Sequence, residues 1–367
     1  MKILWFSWKD PGHPQAGGAE VVGWELMRRL AADGHEVRLV TSGHPGAPAD
    51  EVRQGIAVLR LGGRWSVYWK AFRHYRRNLK GWADAVIDEI NTVPFFCRLY
   101  VREPNLVFVH QLCREIWFYQ MSWPLKLVGY LLEPLYLRAL SGSRAVTVSE
   151  STRADLVRCG FRRERVAVIP QGIALAPLAD LGAAAKYPEP TLLSLGSVRA
   201  MKRTHHIVRA FELAKQEMPG LKLIVAGEMG PGYGERVRRL AAASPYRDSI
   251  RCLGQVDERT KSEIMSRSHI LCAASIKEGW GLTVSEAAGQ GTPAVAYDVD
   301  GLRDSVRDGE TGRLARAGDP ADMARAVVDL LRDPAAYARL RRNGWELART
   351  MTFDRSYQAF MGVISSL

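Results

Sequence analysis

Short apolar runs alternate with stretches of helical spacing along most of the chain. The first run, "KILWFSW", meets the breaker-rich "DPGHPQAGG". It is followed by "AEVVGWELMRRLAADG", where Val22, Leu26 and Leu30 recur at helical intervals up to Gly34. The run "HEVRLVTSG" reads as the next strand, and "NLVFVHQ", "AVTVSE" and "VAVIPQG" as further ones, with "STRADLVRCGF" as a helix between the last two. This first α/β layer ends near Gly172.

Residues 173–191, "IALAPLADLGAAAKYPEPT", have no period and collect Pro, Ala and Gly, as a linker does. The pattern then restarts. Strands are expected at "LLSLGSV", "KLIVAG", "IRCLGQV", "HILCAAS", "PAVAYDV" and "GETGRLA". Helices are expected at "THHIVRAFELAKQ", "GERVRRLAAA", "RTKSEIMSRS" and "PADMARAVVDLLR". Strand–helix alternation in both halves predicts two doubly wound, Rossmann-like parallel sheets. The domains are expected at 1–172 and 192–349, with a C-terminal helix near 350–367 packing back on the first. Ligands of such sheets gather at the carboxyl ends of the strands. Two domains joined by a linker would turn those ends toward a common cleft.

Length agrees with two cores, since 367 residues exceed what one usually fills. The formal charge of +12 favours an anionic partner, but it is spread out. Residues 1–180 carry 24 Lys and Arg against 17 Asp and Glu, and the remainder 27 against 22. With no basic arm and no recognition motif, a nucleic-acid binder is disfavoured. Five cysteines, odd in number and without a CxxC pair, argue against a disulfide framework or a zinc site. The first apolar run is too short for a signal peptide, and no stretch reaches the ~20 apolar residues that span a bilayer. A cytoplasmic protein, free to sit on a membrane face, is the expectation.

The chemistry concentrates in "KEGWGLTVSEAAGQGTPAV", residues 277–295. A loop after the strand "HILCAAS" carries Glu278, glycines 279 and 281 frame a tryptophan, and a helix starts near Thr283 with Glu286 in its first turn. A helix start presents unpaired amides and partial positive charge, which suits phosphate, and the glycines leave room for a ligand against the backbone. The plainer alternative is a capping box, Thr283-x-x-Glu286, in which the glutamate only satisfies a backbone amide. A second strand-to-helix junction, "LGSVRAMKRTHH", brings Arg199, Lys202 and Arg203. Cations opposite a glycine-framed helix start make a diphosphate pocket; the plain alternative is solvated surface charge. A nicotinamide-type dehydrogenase is disfavoured, because no G-x-G-x-x-G follows a strand.

Taken in order, "AGGAE", "LAADGHEVRLVT", "FVHQL", "VSESTRADLVRCGF", "VIPQGI", "SLGSVRAMKR", "LIVAGE", "LGQV", "KEGWGLTVSEAAGQGTPAVA" and "GETGRL" resemble the retaining glycosyltransferases of family 4, which have the GT-B fold. The likeness covers most of 1–43, 105–173 and 192–330. It implies that Glu278 bonds hydroxyls of the donor sugar and Glu286 the ribose hydroxyls. Amides at Gly281, Leu282 and Thr283 would line sugar and diphosphate. Lys202 and Arg199 would neutralise the leaving group. Gly18 would lend an amide to phosphate, His110 would face the transferred sugar, and Val256 would read the base through backbone. The family's usual arginine after the glycine of "SLGSVRAMKR" is replaced by Ser197, with Arg199 two residues on. The resemblance also implies a hexose-type sugar moved from a nucleoside-diphosphate donor to a hydroxyl acceptor, on a lipid-linked glycan, a polysaccharide precursor or a small-molecule glycoside. UDP is the default base, with GDP and dTDP as alternatives. No protein nucleophile, metal or other cofactor is implied, and the Asp-x-Asp of "YDVDG" is read as a loop. A nucleotide-sugar epimerase or a phosphorylase of the same fold stays open as an alternative.

One segment lies outside that likeness. In "RWSVYWKAFRHYRRNLKGW", residues 64–82, Trp65, Trp69, Phe72, Tyr75, Leu79 and Trp82 recur at helical spacing. Lys70, Arg73, Arg77 and Lys80 fall on the other side, and no acid occurs between Arg64 and Asp84. Two readings stay open: a helix packed on the sheet by one aromatic stripe, or a helix lying on an anionic membrane surface.

Overall fold

The computed structural model describes residues 1–182 and 185–367. Ala183 and Ala184, inside the expected linker, lie outside the described residues. The chain divides into two compact units. The first comprises Met1–Arg114, Leu127–Gly172 and Thr352–Leu367, and the second Glu115–Lys126 and Ile173–Met351.

The first unit is built on an eight-stranded sheet. Its strands are β1 (Lys2–Phe6), β2 (Glu36–Thr41), β3 (Asp50–Arg53), β4 (Ile56–Arg60), β5 (Ala85–Ile90), β6 (Asn105–Val109), β7 (Arg144–Thr147) and β8 (Val166–Val168), ordered β3-β4-β2-β1-β5-β6-β7-β8. All neighbours are parallel except β3 and β4, an antiparallel edge hairpin that the alternating pattern did not foretell. Gln54 and Gly55 turn it, both at positive φ (52° and 81°), which matches the twist of a tight hairpin. Helix α1 (Gly18–Ala32) lies over the sheet through Val22, Leu26, Met27 and Leu30. The last helix of the chain, Phe353–Ile364, belongs to this unit, its Phe360 ring 5.5 Å from Trp5.

Residues 64–82 depart from the single aromatic stripe. They form α2 (Val67–His74), which runs into a π-helical turn at Tyr75–Leu79. The inward line is Val67, Ala71, Tyr75 and Leu79, one residue every four, while Trp65 and Trp69 point outward. The spacing was right, but the small Ala71 lets the helix approach the sheet, and that turns the two tryptophans to the surface. A further helix missed by pattern, α3 (Leu125–Leu140), is apolar on both sides and contains Gly129 and Pro134, so no helical period stands out.

The second unit has a six-stranded sheet, all parallel. Its strands are β9 (Thr191–Leu195), β10 (Lys222–Ala226), β11 (Ile250–Gly254), β12 (Ile270–Ala273), β13 (Ala294–Tyr297) and β14 (Gly312–Ala315), ordered β11-β10-β9-β12-β13-β14. The strand order reverses between β9 and β12, the switch point where such sheets leave a crevice. Helices α4 (Thr204–Glu217), α5 (Glu258–Arg267) and α6 (Leu282–Gly289) follow β9, β11 and β12. The linker segment is bonded into this unit. Leu178 N donates to Gly289 O at 2.9 Å, and the Lys186 ammonium donates to Ser268 O, Gly291 O and Thr292 Oγ1 at 2.7–2.8 Å.

Candidate functional site

At the β9/β12 switch point a hollow of about 450 Å³, counted out to open solvent, is floored by the carboxyl ends of both strands. Lys202, Glu278, Gly281 and Thr283 line it. Two strand-to-helix junctions 76 residues apart thus converge there, and each has a local cause. After β9, a 3₁₀ turn at Ala200–Lys202 is closed by Arg203 at φ 48°, and this turn carries Lys202 in before α4 begins. After β12, Gly281 at φ 89° caps α6, a conformation that glycine adopts without strain. The helix therefore starts at Leu282, and Gly281 is its cap instead of Thr283, so the Thr283–Glu286 capping box does not form. The first-turn amides of Leu282 and Thr283 have no upstream acceptor, which leaves partial positive charge at the mouth of the hollow.

The Lys202 ammonium is ion-paired with Glu278 Oε1, and Ser275 Oγ donates to the same oxygen at 2.6 Å. The Glu278 backbone is fixed by its amide bonding Asp300 O at 3.0 Å. The opposing position must be glycine: a Cβ at Gly301 would stand 2.2 Å from Glu278 O. Both aspartates of "YDVDG" are ion-paired: Asp298 with Arg303 at 2.7 Å, and Asp300 with Lys277 at 2.6 Å.

Glu286 is the fifth residue of α6, beyond the first turn, and its carboxylate is nearly buried. It pairs with Lys261 of α5 at 3.0 Å. Burial raises its pKa above the ordinary carboxylate range, and the Lys261 charge opposes that rise. It is absent from the lining of the hollow, one turn behind Thr283. Arg199 is exposed and forms no ion pair among the described residues. Val256 is half-buried against the apolar cluster of Leu193, Ile224 and Ile264, after β11. A second hollow of about 510 Å³ lies at the opposite, amino ends of β9 and β10, lined by Thr191, Lys222 and Asp248. Among the described residues that line it, none belongs to the first turn of an α-helix.

In the first unit, Gly18 opens α1 and is an exposed residue, next to a cap in which Gly17 N donates to Glu20 Oε2 at 2.6 Å. His110 follows β6 and is buried, its Nε2 2.7 Å from Glu89 Oε1. The other Glu89 oxygen accepts Trp5 Nε1 at 2.6 Å. Gly23 of α1 makes room for this carboxylate, since a Cβ there would lie 2.8 Å from Oε1. Glu89, Ser275, Lys261 and Gly301 were not singled out from sequence. The signal for Glu89 was present: an acid inside the otherwise apolar "AVIDEI".

Sequence comparison decides what these sites belong to. The profile for glycosyl transferases group 1 matches residues 183–346, and that for glycosyltransferase family 4 matches residues 16–176. The D-inositol 3-phosphate glycosyltransferase of Streptomyces avermitilis is 32% identical over 94% of this chain and 84% of its own length. The chain is a family 4 glycosyltransferase. Another relative of this glycosyltransferase is the phosphatidyl-myo-inositol mannosyltransferase of Mycobacterium leprae, 34% identical over 49% of this chain and 48% of the relative. The sucrose-phosphate synthase of Thermosynechococcus elongatus shares the GT-B fold, with a TM-score of 0.81 at 22% identity over the whole of both chains. Among the described residues, no helix of the glycosyltransferase is long and apolar enough to cross a membrane.

Proposed function

We propose that this glycosyltransferase moves a hexose-type sugar, with retention at the anomeric carbon, from a nucleoside-diphosphate donor to a hydroxyl of a phosphate-bearing acceptor. One observation carries the donor half: Lys202, Glu278 and the Gly281–Thr283 helix start line a single hollow at the switch point. The ammonium and the free amides suit a diphosphate, and a carboxylate beside them suits sugar hydroxyls. Lys202, aided by Arg199, stabilises the charge that grows on the leaving diphosphate. Glu278 holds the sugar. Glu286, braced by Lys261, takes the ribose hydroxyls from behind the helix start, and Val256 presents backbone to the base. A UDP-sugar is the default donor, and GDP- and dTDP-sugars stay as alternatives because backbone contacts separate the bases poorly.

Gly18 and His110 are assigned to phosphate and transferred sugar on the family resemblance. The hydrogen bond to Glu89 Oε1 supports a fixed orientation for His110. A diphosphate oxygen takes the acceptor's proton, so the reaction calls on no protein nucleophile and no metal. The relatives are named for an inositol phosphate, free in one case and lipid-borne in the other. An acceptor of that chemistry suits a chain with a net charge of +12. The enzyme works in the cytoplasm.

The test is a donor screen by calorimetry, followed by turnover with inositol phosphates and the anomeric configuration of the product by NMR. Nucleoside diphosphate released only when acceptor is present, with retained configuration, is the expected result. Release or isomerisation without acceptor indicates an epimerase, and dependence on inorganic phosphate a phosphorylase.

A further inference from the structure

Helix α3 is apolar on its outer side as well as its inner one, which is unusual for a water-facing helix. Its one acid, Glu133, points inward and is buried, with Oε1 and Oε2 each accepting a backbone amide, from Cys113 and Arg114, at 2.6 Å. Gly129, Leu137 and Leu140 share that inner side. The outer side carries Leu127, Val128, Leu131, Leu132 and Leu135, spaced three and four apart, with Leu131 58% and Leu135 62% exposed. Scattered surface leucines need no explanation, but five on one helical face form a patch that water does not favour.

The patch extends toward α2. Tyr136 of α3 bonds Thr92 O at 2.6 Å and meets the Phe96 ring at 6.2 Å. Leu99 on the next turn is 66% exposed, and its neighbour Tyr100 meets Phe72 edge to face at 4.9 Å, while Phe72 lies tilted against the outward Trp69 at 5.4 Å. The exposed charges on α2 and its π-helical turn, on Cys97–Tyr100 and on α3 have one sign. Arg73, Arg76, Arg77, Arg98 and Arg138 are exposed on the same elements. The segments 64–82 and 92–102 contain no acid, and α3 has only the buried Glu133. A second copy of the chain seated here would bring like charges together. An anionic bilayer would neutralise them and take up the leucines.

We propose that the outer face of α3, continued by Leu99 and Trp69, is the element that inserts into an anionic lipid surface, with the α2 arginines among the headgroup phosphates. The proposal deepens the reading of a phosphate-bearing acceptor toward its lipid-borne form, and it replaces the single stripe of 64–82 with a surface made by three segments. Binding has two separable parts: leucine insertion that tolerates salt, and arginine attraction that does not.

The experiment is flotation of the 367-residue protein with vesicles of phosphatidylcholine alone or with about 30% phosphatidylglycerol. The wild type should float with anionic vesicles, and less in high salt. Leu131→Ser/Leu135→Ser should weaken partitioning roughly tenfold per leucine at every salt concentration. Arg73→Glu/Arg77→Glu should weaken it roughly tenfold or more, at low salt only. Nucleoside-diphosphate binding by calorimetry should be unchanged in both variants. Loss of that binding in the wild type would sink the donor reading without touching the vesicle result. Flotation of Leu131→Ser/Leu135→Ser equal to wild type overturns the proposal. So does a wild-type dimer that this variant turns into a monomer, which would make the face a contact between copies.

Discussion

Replacing Glu278 by glutamine separates two roles that an alanine scan would merge. Without ligand, the carboxylate holds the Lys202 ammonium and accepts from Ser275 Oγ, with the two charged side chains 13% and 29% exposed. The amide keeps the shape and an acceptor for Ser275, but removes one negative charge beside the proposed diphosphate. At a separation of ~6 Å and an effective dielectric of ~20, that charge repels each phosphate charge by about 2–3 kcal/mol before solvent screening, and by about 1 kcal/mol after it. Freed from its partner, Lys202 turns wholly to the nucleotide. Glu278→Gln should therefore bind UDP alone about three- to tenfold more tightly. The sugar loses a charge-assisted hydrogen bond worth about 2–3 kcal/mol, so kcat/KM should fall about 30- to 150-fold. Calorimetry with UDP and a continuous assay of released nucleoside diphosphate give the two numbers on one preparation. Opposite signs are the signature. A parallel weakening of UDP affinity and turnover would refute the assignment of Glu278 to the sugar, and unchanged turnover would refute its place in the site.

Four further outcomes follow from the geometry. Lys202→Met should lower kcat/KM about 100-fold and weaken UDP as well, since the proposed site sets the ammonium against the diphosphate; UDP affinity equal to wild type would contradict it. Glu286→Ala should cost about 1–2 kcal/mol of stability in chemical unfolding, because Lys261 loses its nearer and more buried partner and keeps only Glu258 at 3.4 Å, and donor use should fall at least tenfold; a destabilised variant with full turnover would leave Glu286 a purely structural role. Glu89→Gln should reduce kcat about tenfold with UDP affinity unchanged, because His110 loses its anionic orienting partner; equal losses in both would mean that the first unit is disrupted as a whole. Acid should weaken the second unit through His269, whose pKa is lowered to about 4, first by burial and then by Lys186 and Arg341. Its Nδ1 accepts the Thr191 amide at 3.1 Å, which the imidazolium cannot do. Between pH 6.5 and 4 the unfolded chain takes up a proton that the fold refuses, so this stability is complete above 6.5 and is lost as pH falls toward 4. The half-exposed ring makes the loss about 1–2 kcal/mol, read as the difference in hydrogen-exchange protection between pH 7 and 5. His269→Asn should flatten that difference, and an unchanged slope would clear His269 of the effect.

The parallel sheets were legible because their strands are apolar runs bounded by turn residues, with helices between them. What escaped notice had a physical disguise. Strand β5 is buried along its whole length yet contains Asp88 and Glu89, which reads as polar until both carboxylates are seen bonded, Asp88 to the amides of Phe95 and Cys97 and Glu89 to Trp5 and His110. Helix α3 hid because its acid faces in and its leucines face out. At the hollow between β9 and β12, Lys202, Glu278 and the glycine-framed start could be named from two junctions. Their meeting was an expectation from the rule that ligands gather at strand ends, and it is the 76-residue path through three strands that brings them to one hollow. Nor could Lys261, whose meaning depends on α5 lying beside α6. The capping box was a true local pattern that lost to Gly281, because a left-handed glycine can start the helix two residues earlier.

The contact between Gly301 and the Glu278 carbonyl makes that loop a ruler. Main chain meets main chain there with no side chain between, and the Glu278 amide is tied to Asp300 O. The loop therefore has no slack with which to advance or retreat, and the reach of residue 278 into the hollow is set by side-chain length alone. Shortening it by one methylene, as aspartate would, withdraws the carboxylate by about 1.5 Å with no backbone shift available to restore it. A change at position 301 moves the zero of the ruler instead. On the proposed assignment of Glu278 to the donor sugar, a fixed length would separate sugars that differ in the height of a single hydroxyl, and altering donor preference would mean recalibrating residues 278 and 301 together.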